Sequence, residues 1–273
     1  MSYIEPVLNG LNCALRTLVH LESLELALGL SGGTISSRGI LNGCSFPALR
    51  VFALSGVGRG SLSPKAHPVP TAPIEWFLSS TPSIQHLRLA DCYEVLHLQP
   101  SDLPSLSTFR GTAPTAASVL PGRPVQLLSL VGDRFITERD LELIASTSTR
   151  IRWLDLSAMS VTPLLLRDFS RHLFGVEHLK VKLALRHTLH HALSGITILV
   201  GLTSVLGAFP ELHDLDLSPT ALDGVSAGNT SDELSLCNAW SRDCASLRHI
   251  IFPSKSEWTL TDDHLWVPLS ANH

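Results

Sequence analysis

The chain has 273 residues, 44% hydrophobic and 16% charged, a balance that predicts a folded protein with a sizeable core and argues against a disordered one. A formal net charge of -4 without any run of Lys or Arg leaves no electrostatic footprint for nucleic acid or an acidic membrane surface. Five cysteines (Cys13, Cys44, Cys92, Cys237 and Cys244) are odd in number, widely spread and free of any Cys-x-x-Cys pair, so neither a disulfide framework nor a zinc knuckle is implied.

The opening MSYIEPVLNG lacks the basic start and unbroken apolar core of a signal peptide, which points to a reducing compartment, cytoplasmic or nuclear. Ile4, Val7, Leu8, Leu11, Leu15 and Leu18 predict one amphipathic helix. It leads into LESLEL at residue 21, the first block of the form apolar-x-x-apolar-x-apolar. The form recurs in LRVFAL at 49, IQHLRL at 84, VQLLSL at 125, IRWLDL at 151, VEHLKV at 176, LHDLDL at 212 and LRHIIF at 247, with LSTFRG at 106 a degraded ninth copy. The blocks span 226 residues over eight intervals, about 28 apiece, and so form an internal repeat of irregular length.

Each block predicts a short strand whose residues at positions 4 and 6 point into a core, because alternate side chains on a strand share a face. Between blocks the spacing is helical, as at Trp76, Phe77 and Leu78 and at Leu202, Leu206 and Phe209. Pro47, Pro82, Pro104 and Pro210 each stand two residues ahead of a block and turn the chain from helix to extended geometry. The repeat unit is therefore helix, corner and strand. Three stretches fall outside it: a Pro-rich loop at 61–73, a polar loop at 223–233, and the uncharged run 192–209. That run has seven Gly, Ser or Thr residues, ends at Pro210 and has no basic flank, so a buried element is expected there and no membrane span.

These blocks resemble leucine-rich repeats. The resemblance implies an α/β fold, an irregular solenoid with parallel strands on the concave side of an arc and helices on the convex side, forming a single domain over 1–273. The Asn or Cys that such repeats carry three positions beyond the last strand Leu is matched by Cys92 in IQHLRLADC. CASLRHIIFPSKSEW, HLWVP and FPELHDLDLS are similar to the C-terminal repeat regions of fungal F-box-like proteins. That resemblance implies a substrate-recognition arm, which an N-terminal F-box docks onto a cullin-type ubiquitin ligase. Only the single N-terminal helix precedes the repeats here, so the arm is expected to lack its F-box.

Positions 3 and 5 of each block alternate with the buried ones and are expected to line the concave face. The candidate partner-binding residues there are Arg88, Arg110, Trp153, Asp155, Lys180, Asp214 and Asp216. Trp153 beside Asp155 has the character of a binding hot spot, an aromatic anchor ringed by charge. Catalytic chemistry is sparse by comparison. His187, His190 and His191 have the i, i+3, i+4 spacing that can hold a metal, but no HExxH glutamate accompanies them. Gly56, Gly58 and Gly60 imitate a dinucleotide loop with the third glycine misplaced. Asp262-Asp263-His264 has no nucleophile nearby and reads as a turn. The expected function is a non-catalytic protein-interaction scaffold that takes a protein partner and no cofactor or metal. A metal-dependent hydrolase using the His187, His190 and His191 cluster is the alternative.

Overall fold

The computed structural model describes residues 4–27, 40–55, 72–90, 95–132, 136–184, 197–221 and 230–269. His187, His190, His191, Cys92 and the three glycines of the false dinucleotide loop lie outside the described residues. The protein is α/β, with strands that run mostly parallel and are interspersed with helices. The chain divides into two compact units, residues 1–126 with 134–149, and residues 127–133 with 150–273.

The first unit contains α1 (Ile4–Thr17), β1 (Ser23–Ala27), β2 (Val51–Ser55), α2 (Ala72–Ser79), β3 (His86–Leu89), β4 (Thr108–Gly111), α3 (Ala113–Val119) and α4 (Glu138–Ala145). Its four strands pair in chain order, all parallel. The second unit contains β5 (Leu127–Val131), β6 (Trp153–Val161), α5 (Pro163–His172), β7 (His178–Leu183), a 3-10 turn (Thr197–Leu202), α6 (Thr203–Leu206), β8 (Asp214–Asp216) and α7 (Thr230–Asp243). It ends with β9 (His249–Ile251), β10 (Glu257–Leu260) and β11 (Trp266–Pro268). Strands β5 to β9 are parallel neighbours in chain order, and β10 and β11 return antiparallel.

All nine blocks are strands, and the corner that precedes most of them has a definite chemistry. In six blocks the position 1 amide donates to the carbonyl three residues back: Leu21 to Leu18, Leu49 to Phe46, Ile84 to Thr81, Leu106 to Leu103, Leu212 to Phe209 and Leu247 to Cys244. Pro47, Pro82, Pro104 and Pro210 thus sit at the second place of a β-turn, where the fixed φ of proline is already correct. Beyond the corner, two successive amides share one carbonyl of the preceding strand. Arg50 and Val51 both donate to Glu22, and Gln85 and His86 to Arg50. In the second unit His213 and Asp214 both donate to Glu177, and Arg248 and His249 to His213. This shared acceptor fixes the register, since a slip of one residue would turn every buried side chain outward.

Positions 4 and 6 are buried as expected: Leu24 and Leu26, Phe52 and Leu54, and Leu87 and Leu89 in the first unit; Leu128 and Leu130, Leu154 and Leu156, and Leu179 and Val181 in the second. Each such side chain contributes about 1.5–3 kcal/mol by leaving water. The degraded block has a packing reason for its Gly111. A Cβ there would lie 2.8 Å from Phe109 Cζ, so the Phe109 ring already fills the space that Leu occupies in its neighbours.

Some expectations are corrected and others hold. Of the predicted apolar stripe Leu15 is buried, but Val7 and Leu18 are exposed; α1 also buries Asn12, whose Nδ2 donates to the Ile40 and Asn42 carbonyls at 2.7 and 3.0 Å. The loop expected at 61–73 ends sooner, because α2 begins at Ala72. The loop expected at 223–233 gives way to α7 at Thr230, whose Glu233 is buried. The run 192–209 holds the 3-10 turn and α6, with Leu199, Leu202, Leu206 and Phe209 buried. No described helix is long and apolar enough to cross a membrane. Asp262-Asp263-His264 forms the turn between β10 and β11.

Candidate partner-binding face

The strand register decides which side chains share a face. In the first unit Ser23, Val51, His86 and Thr108 pair in one row, and Glu25, Ala53, Arg88 and, on β4, Arg110 in the next. Arg88 reaches across Ala53 to Glu25 at 3.3 Å, an exposed ion pair, and Arg110 is its register neighbour. The alanine between the two charged side chains leaves room for that span.

In the second unit Leu127, Trp153, His178, Asp214, His249 and Thr259 form the position 3 row, and Ser129, Asp155, Lys180, Asp216, Ile251 and Glu257 the position 5 row. Trp153 stands 44% exposed and stacks on His178, ring centroids 4.3 Å apart at 21°. His178 Nδ1 lies 2.7 Å from Asp214 Oδ2, while Asp214 Oδ1 lies 3.1 Å from His249 Nδ1. His249 Nε2 continues the row to Glu257 Oε1 at 2.7 Å. The four polar groups and the indole form one chain of contacts across five strands.

The position 5 residues have work inside the fold. Asp155 accepts from Ser129 Oγ at 3.0 Å and from the Ser157 amide at 2.9 Å; Asp216 accepts from the Ser218 amide at 2.9 Å and pairs with Lys180 Nζ at 2.7 Å. Each aspartate bonds the amide two residues on in Asx geometry, at the end of β8 for Asp216 and just ahead of the register shift within β6 for Asp155. Burial pushes the Asp216 carboxyl up, but the bonds from Lys180 and Ser218 outweigh it and hold the group below the usual carboxylate range.

Of the seven expected residues, Trp153, Asp155, Lys180, Asp214 and Asp216 are thus brought together in the second unit, and Arg88 and Arg110 lie side by side in the first. The contributors missed by the sequence reading are His178, His249 and Glu257. The two histidines stand at position 3 of their blocks, so the signal was present; Glu257 belongs to no block and reaches the row only through the antiparallel return of β10. Among the described residues no group of three or more His, Cys, Asp or Glu is placed to hold a metal ion. No family model matches the chain, and no curated protein matches it.

Proposed function

We propose that this chain is a protein-interaction module of the leucine-rich-repeat type, a solenoid that works without catalysis through the concave face carrying positions 3 and 5. The observation that carries the reading is Trp153, half-exposed at the head of a polar row and held upright by His178. Tryptophan is over-represented among the few residues that dominate interface energies, and a pre-ordered side chain loses little freedom on binding. The repeats would serve as the partner-recognition arm of an F-box-like ubiquitin-ligase adaptor, cytoplasmic or nuclear; the C-terminal sequence resemblance supports this finer assignment.

The test is affinity purification of wild type, Trp153→Ala and Leu164→Ala from native cells, with bound proteins identified by mass spectrometry. Leu164 is exposed on α5 and serves as the control. A protein retained by wild type and Leu164→Ala but lost at least tenfold from Trp153→Ala is expected, since truncating a hot-spot residue costs ~2 kcal/mol or more. Identical partner sets for all three would overturn the assignment of the face. Co-purification of a cullin with wild type would support the ligase role.

A further inference from the structure

An ionised carboxylate accepts hydrogen bonds and donates none. His249 on β9 lies between two of them, with Nδ1 3.1 Å from Asp214 Oδ1 on β8 and Nε2 2.7 Å from Glu257 Oε1 on β10. A neutral imidazole has one ring proton, so it can donate to one carboxylate only and turns a lone pair toward the other. Both contacts are hydrogen bonds together only when each ring nitrogen carries a proton. We propose that His249 is a proton-operated clasp, which ties the C-terminal antiparallel strands to the parallel ladder when doubly protonated and opens when it loses a ring proton.

The surroundings leave this bridge as the site of the change. From β8, Asp214 faces His249 directly, and Asp216 two residues on is engaged by Lys180. From β7, His178 holds the other oxygen of Asp214 and so fixes that carboxylate in place. From β10 only Glu257 contributes charge, and β11 has no titratable residue. Arg248, adjacent in sequence, is turned to the Ala245 and Leu247 carbonyls at 2.7 and 2.9 Å. On the helix side, Glu233 of α7 is occupied by Ser254, Ser256 and Trp258. The pairing of β9 with β10 spans three residue pairs, so one charge-assisted bond across it is a sizeable share of what holds the return strands. Opening leaves a carboxylate unbridged on the same face as Trp153, but the clasp itself does not depend on any partner binding there.

The experiment uses the full 15N-labelled chain, wild type and Glu257→Gln, between about pH 5 and about pH 8, the span in which histidine charge changes. Ring 1H–15N spectra count the protons on His249, and amide hydrogen exchange gives protection factors for β10, with β2 and β5, which carry no titratable residue, as internal reference. In wild type, two ring protons are expected at acid pH, and protection of β10 falls on the order of tenfold toward alkaline pH, the loss of one charge-assisted hydrogen bond. The reference strands stay level. In Glu257→Gln the side-chain amide can donate to the lone pair of a neutral ring, so the fall disappears. A single ring proton at about pH 5, no fall in wild type, or an equal fall in Glu257→Gln would each overturn the proposal; the ring count needs no variant.

Discussion

Among the described residues the first unit buries Arg123 and Asp102 and the second Glu233, and the two deepest of these, Arg123 and Glu233, are satisfied in opposite ways. In the first, Arg123 is 3% exposed and its guanidinium donates to main-chain carbonyls alone: Asp102 and Gln99 at 2.9 Å each, Pro121 at 3.3 Å, and Val119. In the second, Glu233 is 2% exposed and accepts from side chains alone, Ser254 at 2.6 Å, Ser256 at 2.5 Å and Trp258 Nε1 at 2.9 Å. The difference lies in what can adapt. Carbonyls fixed by a loop and by the end of α3 cannot become donors, whereas a serine hydroxyl can rotate and change role. Burial pulls the Arg123 guanidinium down from its usual range, and the nearby Asp102 carboxylate opposes the shift. Around Glu233 the consequence is felt by a neighbour: burial first, then the Glu233 charge, pushes the Cys237 thiol up to about 12.

Arg123 is the more sensitive of the two sites. Arg123→Ala leaves several buried carbonyls without donors and is expected to destabilise the protein by about 3 kcal/mol or more, read as a lowered midpoint in chemical denaturation. Arg123→Lys is expected to recover only part, because three donors on a point charge cannot reproduce the planar fork. Glu233→Gln should cost less, about 1–2 kcal/mol, since the Gln oxygen can still serve Trp258 and Ser256 while the Ser254 hydroxyl turns to accept from its amide group. Equal losses for Arg123→Ala and Glu233→Gln would mean that adaptability of the partners does not set the cost.

How much of this the sequence disclosed follows from how local each signal is. The strands of the ladder were legible down to the poor copy LSTFRG, because strand alternation is a period-two pattern held within six residues, and the proline corners lie within four. Glu233 was not legible: it closes the polar run DGVSAGNTSDE, and nothing in that run tells of donors 21 to 25 residues further on. Arg123 was equally silent, since its acceptors are main-chain atoms that any residue type supplies. The candidate face lies between these cases. Its position 3 and 5 membership could be read from spacing, but the Trp153–His178–Asp214–His249 contacts depend on strand adjacency, and Glu257 on a chain reversal after β9.

An exposed ion pair contributes less than either buried group. Arg152 and Glu177, at position 2 of adjacent blocks, bond through both guanidinium and both carboxylate ends at 2.7 and 2.6 Å. The bond from Arg152 holds the Glu177 carboxyl below the usual carboxylate range despite some opposing desolvation, with the charges of Arg152, His178 and His213 adding to it. A carboxyl depressed in the folded state contributes stability that is full above its unfolded range, near pH ~4.3, and is lost as pH falls through the folded value. Glu177→Gln should therefore lower the denaturation midpoint slightly at neutral pH, by less than either buried substitution because the pair faces solvent. Once pH has fallen below the folded value, so that wild-type Glu177 is itself protonated, the two proteins should unfold at the same denaturant concentration; a gap that persisted there would assign the loss to packing of the side chain and not to its charge.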